Sequence, residues 1–248
     1  MLQRTSPARR FPRGFLLIVV LTMTPWPAAG ETIKGTAALV DADGRPVKKP
    51  DRSGVVVWLE TAASVTSPAA SPARPITVSQ RKLMFVPHVT AIQVGTAVDF
   101  PNDDPIFHNV FSNFDGQVFD LQLYAPQTAR RVVFRRPGIV RVFCNIHDSM
   151  SAFIAVLPQP YFAVSDTQGR FEIQAPPGEY RLQFWHERAR PDELARLARS
   201  VTIGNDPLSL PETQIPVTND PLPPHKDKYG RDYTQKGEDR IFYQGARR

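Results

Sequence analysis

Cys144, His147 and Met150 stand in the order C-x2-H-x2-M. A thiolate, an imidazole and a thioether so close together make a mixed sulfur and nitrogen donor set. Soft sulfur selects copper over magnesium or calcium, and Cys with His and a weak axial Met is the arrangement of electron-transfer copper sites. Such a site needs a second imidazole from elsewhere. His108, in Phe100-Pro-Asn-Asp-Asp-Pro-Ile-Phe-His-Asn-Val-Phe111, offers one. Zinc is an alternative, because Cys and His ligands accept it as well. Taken alone, Cys144 reads as a buried strand thiol and Met150 as a core residue. Nucleophilic catalysis by Cys144 with His147 as its base is a weaker reading. The cysteine ends an apolar strand, and no third orienting group is evident.

The elements that must hold these side chains are legible around them. Gly138 to Leu157 reads as strand, tight loop, strand. Val140, Val142 and Cys144 alternate to one face, with Ile139, Arg141 and Phe143 on the other. Phe153 to Leu157 is an apolar run of the length of a buried strand. From Ile76 to Leu157 the pattern predicts short strands at Ile76–Val78, Leu83–Val86, Ala91–Val94, Ala97–Phe100, His108–Phe111, Phe119–Leu123, Arg130–Phe134, Ile139–Cys144 and Ala152–Leu157. Gly95 and Pro137-Gly138 punctuate them. Many short strands separated by turn residues predict a β-sandwich or barrel. The phenylalanines of this stretch are large enough to fill a two-sheet core.

Three motifs then carry a resemblance. Val94-Gly-Thr-Ala-Val-Asp-Phe100, His108-Asn109-Val110 and the Cys144-His147-Met150 loop together resemble the cupredoxin, or blue-copper, family over residues 78–157. The short ligand loop is similar to that of amicyanin. The whole chain resembles periplasmic cupredoxin-domain chains called methylamine utilization proteins. The resemblance implies a Greek-key β-sandwich with one copper, Cu(I) or Cu(II). It implies His108, Cys144 and His147 as equatorial ligands and Met150 as the long axial one. It also implies that Asn109 ties the loop bearing His108 to the backbone beside Cys144. Nothing in these residues shows a role in methylamine metabolism.

The flanks read differently. Residues 31–62 (with I-K-G-T-A-A-L-V-D-A-D-G-R-P-V and V-V-V-W-L-E) and residues 158–204 (with D-T-Q-G-R-F-E-I and P-P-G-E-Y-R-L) resemble the two halves of a carboxypeptidase-regulatory-like β-sandwich. The cupredoxin domain, 76–157, would then be inserted into it after a Pro-rich linker, 63–75. The alternative is that the N-terminal strands simply extend the cupredoxin sheet. Arg188 to Arg199 reads as a loop or one helical turn. Residues 205–248 hold repeated prolines, which predict an extended tail, and then a polar, basic stretch, 225–248, which is flexible or packs along the surface.

Residues 1–30 read as a secretory signal: Arg4, Arg9, Arg10 and Arg13, then Phe15 to Met23, then P-W-P-A-A-G. The apolar run is too short to span a bilayer, so no stable membrane span is expected. Without those arginines the net charge falls from +6 to about +2, which removes the case for nucleic acid. A lone cysteine in an oxidising compartment is explained if a metal holds it. With five histidines in all, a multicopper oxidase is excluded.

Three further histidines and three acids complete the inventory. His88 stands as a surface residue or as a neighbour of the site, either beside the ligands or as an added one. His186 reads as structural and His225 as solvated. Asp103, Asp104 and Asp115 read as turn residues that, if exposed, would steer a basic redox partner. The expectation is a periplasmic, non-enzymatic electron carrier serving a dehydrogenase or cytochrome. A copper carrier or envelope assembly module is the alternative.

Overall fold

The structure is a computed structural model describing residues 31–47, 52–61, 75–113, 117–218 and 225–233. The expected leader (1–30), the linker apart from its last residue, Asp115 and the end of the basic tail lie outside the described residues.

Two strands open the chain, β1 (Glu31–Val40) and β2 (Val56–Thr61). Ten follow in the middle: β3 (Ile76–Thr77), β4 (Ser79–Arg81), β5 (Met84–Val86), β6 (Val89–Gln93), β7 (Ala97–Pro101), β8 (His108–Ser112), β9 (Phe119–Tyr124), β10 (Ala129–Val133), β11 (Gly138–Phe143) and β12 (Ser151–Leu157). The chain closes with β13 (Phe162–Val164), β14 (Arg170–Ala175), β15 (Gly178–Trp185), helix α1 (Pro191–Leu197), β16 (Arg199–Ile203), β17 (Leu208–Ser209) and β18 (Thr213–Pro216).

Among the described residues the molecule is all-β apart from α1, as expected. The middle strands form the anticipated two-sheet sandwich, β6-β12-β11-β8-β9 against β10-β7-β3, with β4-β5 as a hairpin at its side. Val98, Phe100, Val110, Phe134, Val140 and Ile154 are fully buried between the sheets.

The strands before and after the middle ones pair with one another. β1 runs antiparallel to β14, and β2 antiparallel to β15. They build a second sandwich, β14-β1-β17 with β18 also on β1, against β13-β2-β15-β16. The alternation of Arg170-Phe-Glu-Ile-Gln-Ala175 shows directly in its burial, exposed and buried by turns. Its core centres on Ile33, Val57, Leu59, Ile173 and Leu182.

Two expectations about the C-terminal third are corrected. Pro191–Leu197 is a helix of seven residues, started by Pro191, with Asp192 and Glu193 in its first turn and Leu194 buried. The proline-rich stretch past 204 is not uniformly irregular. Leu208–Ser209 and Thr213–Pro216 pair parallel with β1. The prolines fit because Pro207 and Pro211 lie outside the short strands and Pro216 ends one, where a missing N–H costs little. Ile215 is fully buried and anchors this return.

The two sandwiches meet on β12. Its inner side, Ala152, Ile154 and Val156, faces the central core, while Phe153, Ala155 and Leu157 pack with Val56 and Val89 against Trp58, Phe162 and Trp185. Burial on both faces is why this strand is continuously apolar.

Candidate metal centre

Strand β11 ends at Phe143, and the chain turns through the loop 144–150 into β12. Two backbone bonds close that loop: Cys144 N–H donates to the Met150 carbonyl and Met150 N–H to that of His147, both at 3.1 Å. The short spacing is what makes this possible, since the antiparallel ladder begins immediately, with Phe143 opposite Ser151. The loop therefore carries Cys144 and Met150, both fully buried, into the end of the central core, with His147 at its rim.

His108 arrives from another strand. It opens β8, which lies beside β11. Its Nδ1 is 3.7 Å from Cys144 Sγ, and His147 Nδ1 is 3.5 Å from the same sulfur. The two imidazoles sit 4.9 Å apart at 64°. Among the described residues His108, Cys144 and His147 form the one such group, with a donor atom from each within 4.8 Å of the others. No metal ion is present in the structure. The residues fit a mononuclear copper ion on their own chemistry: one soft sulfur and two imidazole nitrogens converge, and a fully buried thioether follows in the same loop.

Asp104, expected to be a turn residue, does more than turn the chain. Its Oδ2 accepts from His108 Nε2 at 2.9 Å. Its carboxylate also accepts from the N–H groups of Lys82 (2.6 Å) and Leu83 (2.9 Å). An ionised carboxylate can only accept, so the proton must sit on Nε2, and Nδ1 presents a lone pair toward the sulfur. Burial pushes His108 down, against the pull of Asp104, so the neutral ring is the resting form. Asp104 is buried and held below the usual carboxylate range: burial alone would raise it, but the amides of Leu83 and Lys82 and the His108 ring outweigh that. It is therefore unsuited to steering a partner from the surface. A carboxylate four residues before a candidate ligand histidine was the sequence signal for this role.

Cys144 is held up by burial, opposed by hydrogen bonds to the backbone of Asn109, Ile146 and His147. The Asn109 expectation is thereby corrected in its atoms. The backbone of Asn109, not its side chain, meets the cysteine. The side-chain Nδ2 instead donates to Asp120 Oδ1 at 2.7 Å. A register irregularity in the β8–β9 ladder between Asn109 and Phe111 accompanies this turn toward β9.

His88 is not in the donor group. Its Nδ1 lies 3.0 Å from the Ser151 carbonyl and its Nε2 2.7 Å from Glu187 Oε2. It touches the strand next to Met150 while its other nitrogen reaches the flanking sandwich. His186 is buried there and pushed down to about 4 by that burial, with neighbouring charges as lesser influences. His225 is not simply solvated: its ring stacks on Phe143 at 4.2 Å and 28°.

Part of the chain is similar in sequence to a known protein. The chain is 36% identical over 96 residues to methylamine utilization protein MauL of Methylorubrum extorquens, covering 37% of this chain and 82% of that protein. The chain belongs to the MauL family. No family model matches it. Solved structures similar to part of this MauL-family chain include a purple cupredoxin from Nitrosopumilus maritimus, at 22% identity with a TM-score of 0.31, over 33% of this chain and 99% of that one. An amicyanin variant matches at 19% identity and 0.32, over 34% and 82%. A copper-containing nitrite reductase from Thermus scotoductus matches at 29% and 0.33, over 35% of this chain but 23% of the enzyme.

Proposed function

We propose that this MauL-family chain is a periplasmic electron-transfer protein that holds one copper ion through His108, Cys144 and His147, with Met150 as the weak axial donor. The observation that carries this reading is the convergence of Cys144 Sγ and two imidazole Nδ1 atoms at the end of a packed sandwich. Copper would supply a one-electron couple between Cu(I) and Cu(II). The protein's part is to keep the donors in place in both states. Strands β8 and β11 hold the His108 and Cys144 backbones in one sheet, Asp104 fixes the His108 ring, and the two loop hydrogen bonds fix Met150 relative to His147. His147 is only half-buried at the rim, which makes its ring the natural way in and out for an electron. The partners are redox proteins, a dehydrogenase or a cytochrome. Methylamine utilization is the context that the relative's name points to. Among the described residues no helix is long and apolar enough to cross a membrane.

The reading also takes the flanking strands as one discontinuous sandwich with the copper domain inserted. It assigns no catalytic group. The test is the visible absorption of the protein loaded with Cu(II), before and after ascorbate. The expected result is an intense thiolate band at one copper per chain that bleaches on reduction and returns on reoxidation. Copper that binds without that band, or that passes freely to a chelator, replaces this reading with the carrier or assembly module.

A further inference from the structure

Residues 225–233 return from the flanking sandwich to lie on the ligand loop. Their own shape is built in. Asp227 N–H donates to the Arg231 carbonyl and Gly230 N–H to that of Asp227. The Asp227 carboxylate accepts from the N–H groups of Tyr229 and Arg231, at 2.9 and 2.8 Å, and from Arg231 Nε. Gly230 supplies the positive φ, 78°, that this turn needs. The result is a preformed turn with its acid buried, not a solvated tail.

Four contacts fasten that turn to the end of β11, to the ligand loop and to β9, the neighbour of the strand that carries His108. Tyr233 Oη donates to the Cys144 carbonyl at 2.6 Å. Lys228 N–H donates to Asn145 Oδ1 at 2.9 Å. The His225 ring stacks on Phe143, the residue before Cys144, and lies edge-on to Tyr233 at 5.2 Å. Lys228 Nζ reaches Asp120 Oδ2 at 2.7 Å, and the same carboxylate holds the side chain of Asn109, the neighbour of His108. The Lys228–Asp120 pair is mostly shielded from solvent, with side chains 17% and 28% exposed. A carbonyl oxygen can only accept, so the Tyr233 hydroxyl is the donor in its bond to Cys144.

We infer that residues 225–233 are a strap that positions the ligand loop, with Tyr233 and Lys228 as positioning residues that hold Cys144 and Asn145 in the metal-binding arrangement and slow loss of the ion. The Tyr233 bond is made to the Cys144 carbonyl and not to sulfur, so it acts on the metal site by fixing the backbone that sets the direction of the thiolate. The inference rests on the copper reading for the ion, but not for the loop. A loop held by hydrogen bonds that are formed before metal arrives loses less freedom on binding.

The experiment uses the full chain with Tyr233→Phe, Asn145→Ala (because the Lys228 partner in that bond is its backbone N–H) and both together. In metal-free protein, amide hydrogen exchange across 144–150 is expected to speed up in each variant, most in the double one. In copper-loaded protein, transfer of Cu(I) to a bicinchoninate chelator is expected to be about five-fold faster for Tyr233→Phe. The thiolate band should be kept and the reduction potential should shift from that of the parent, because the direction of the thiolate is less tightly held. Unchanged exchange in the loop of the metal-free variants overturns the strap. Faster exchange with an unchanged potential and unchanged copper loss reduces it to a brace and overturns the positioning role. If the parent protein takes up no copper, the proposed function fails, and the metal-free exchange still decides the strap.

Discussion

Cys144 Sγ is the one atom that both histidines face, and its environment is divided. Burial favours the thiol, while backbone groups from Asn109, Ile146 and His147 are already arranged to favour the thiolate. A metal ion settles the balance by replacing the proton. Cys144→Ser is expected to abolish the thiolate-to-copper band while leaving the fold intact, which near-ultraviolet circular dichroism would check. Asp104 is the second residue of consequence. It holds the His108 ring and the tip between β4 and β5 together, so Asp104→Ala leaves Nε2–H and two amides without their acceptor. Loss of such a partner to a ligand histidine typically weakens metal binding about 10- to 100-fold. A competition titration against a chelator of known affinity should show a loss in that range.

Strand β12 carries two duties at the level of elements. One face closes the copper-side core and the other joins the two sandwiches. Phe153 points to the second: its ring packs at 5.4 Å from Trp185 and 5.6 Å from His88, with the Arg141 guanidinium over it. Phe153→Ala is expected to cost about 3–5 kcal/mol in chemical denaturation, with the visible spectrum kept because the donors lie on the other side of the strand. The turn between β13 and β14 is the matching weak point of the flanking sandwich. Gly169 has φ of 81°, and its missing Cβ would run into the Ala37 carbonyl. Its N–H closes the turn on Asp166, and its carbonyl accepts from Ala37 N–H. Gly169→Ala is expected to lower the melting temperature clearly, through strain at a backbone angle that side chains rarely adopt.

The whole molecule is held together by that apolar contact and by the His88–Glu187 pair across it. The hydrogen bond to Glu187 raises His88, against burial and with help from the acid's charge and the Ser151 carbonyl. Glu187 is lowered: burial pushes it up, but the bond and charge of His88 win. A raised histidine contributes fully below its unfolded value of 6.5 and loses its contribution as pH rises through the raised value. A lowered carboxyl contributes above its unfolded value of 4.5 and loses its contribution as pH falls through the depressed value. The pair therefore stabilises most between pH 4.5 and 6.5. Because the His88 side chain is 46% exposed, screening limits its worth to on the order of 1 kcal/mol. Denaturation of Glu187→Gln beside the parent should show the largest difference inside that window and a shrinking one by pH 8.5, which lies ~2 units above the ordinary histidine value.

Sequence alone determined what depends on near neighbours. The C-x2-H-x2-M spacing, the alternation along Val140, Val142 and Cys144, and the turn residues around them are local, and a seven-residue loop closed by its own backbone leaves its donors little choice of direction. The all-β class followed from the same short-range patterns, and the partnership of His108 with that loop came through family resemblance. What tertiary structure decided is what joins distant segments. Asp104 became an orienting carboxylate because the hairpin amides of Lys82 and Leu83 fold over it. The Asn109 side chain reaches Asp120, on the neighbouring strand, where the ladder is irregular. His88 met Glu187 across 99 residues of chain, and Tyr233 met Cys144 across 89. Periodicity reports which face of an element is apolar, but it carries no information about which remote side chain will complete a hydrogen bond. For the same reason a proline-rich, charged stretch looks like a free tail until packing brings two sheets and a ligand loop within its reach.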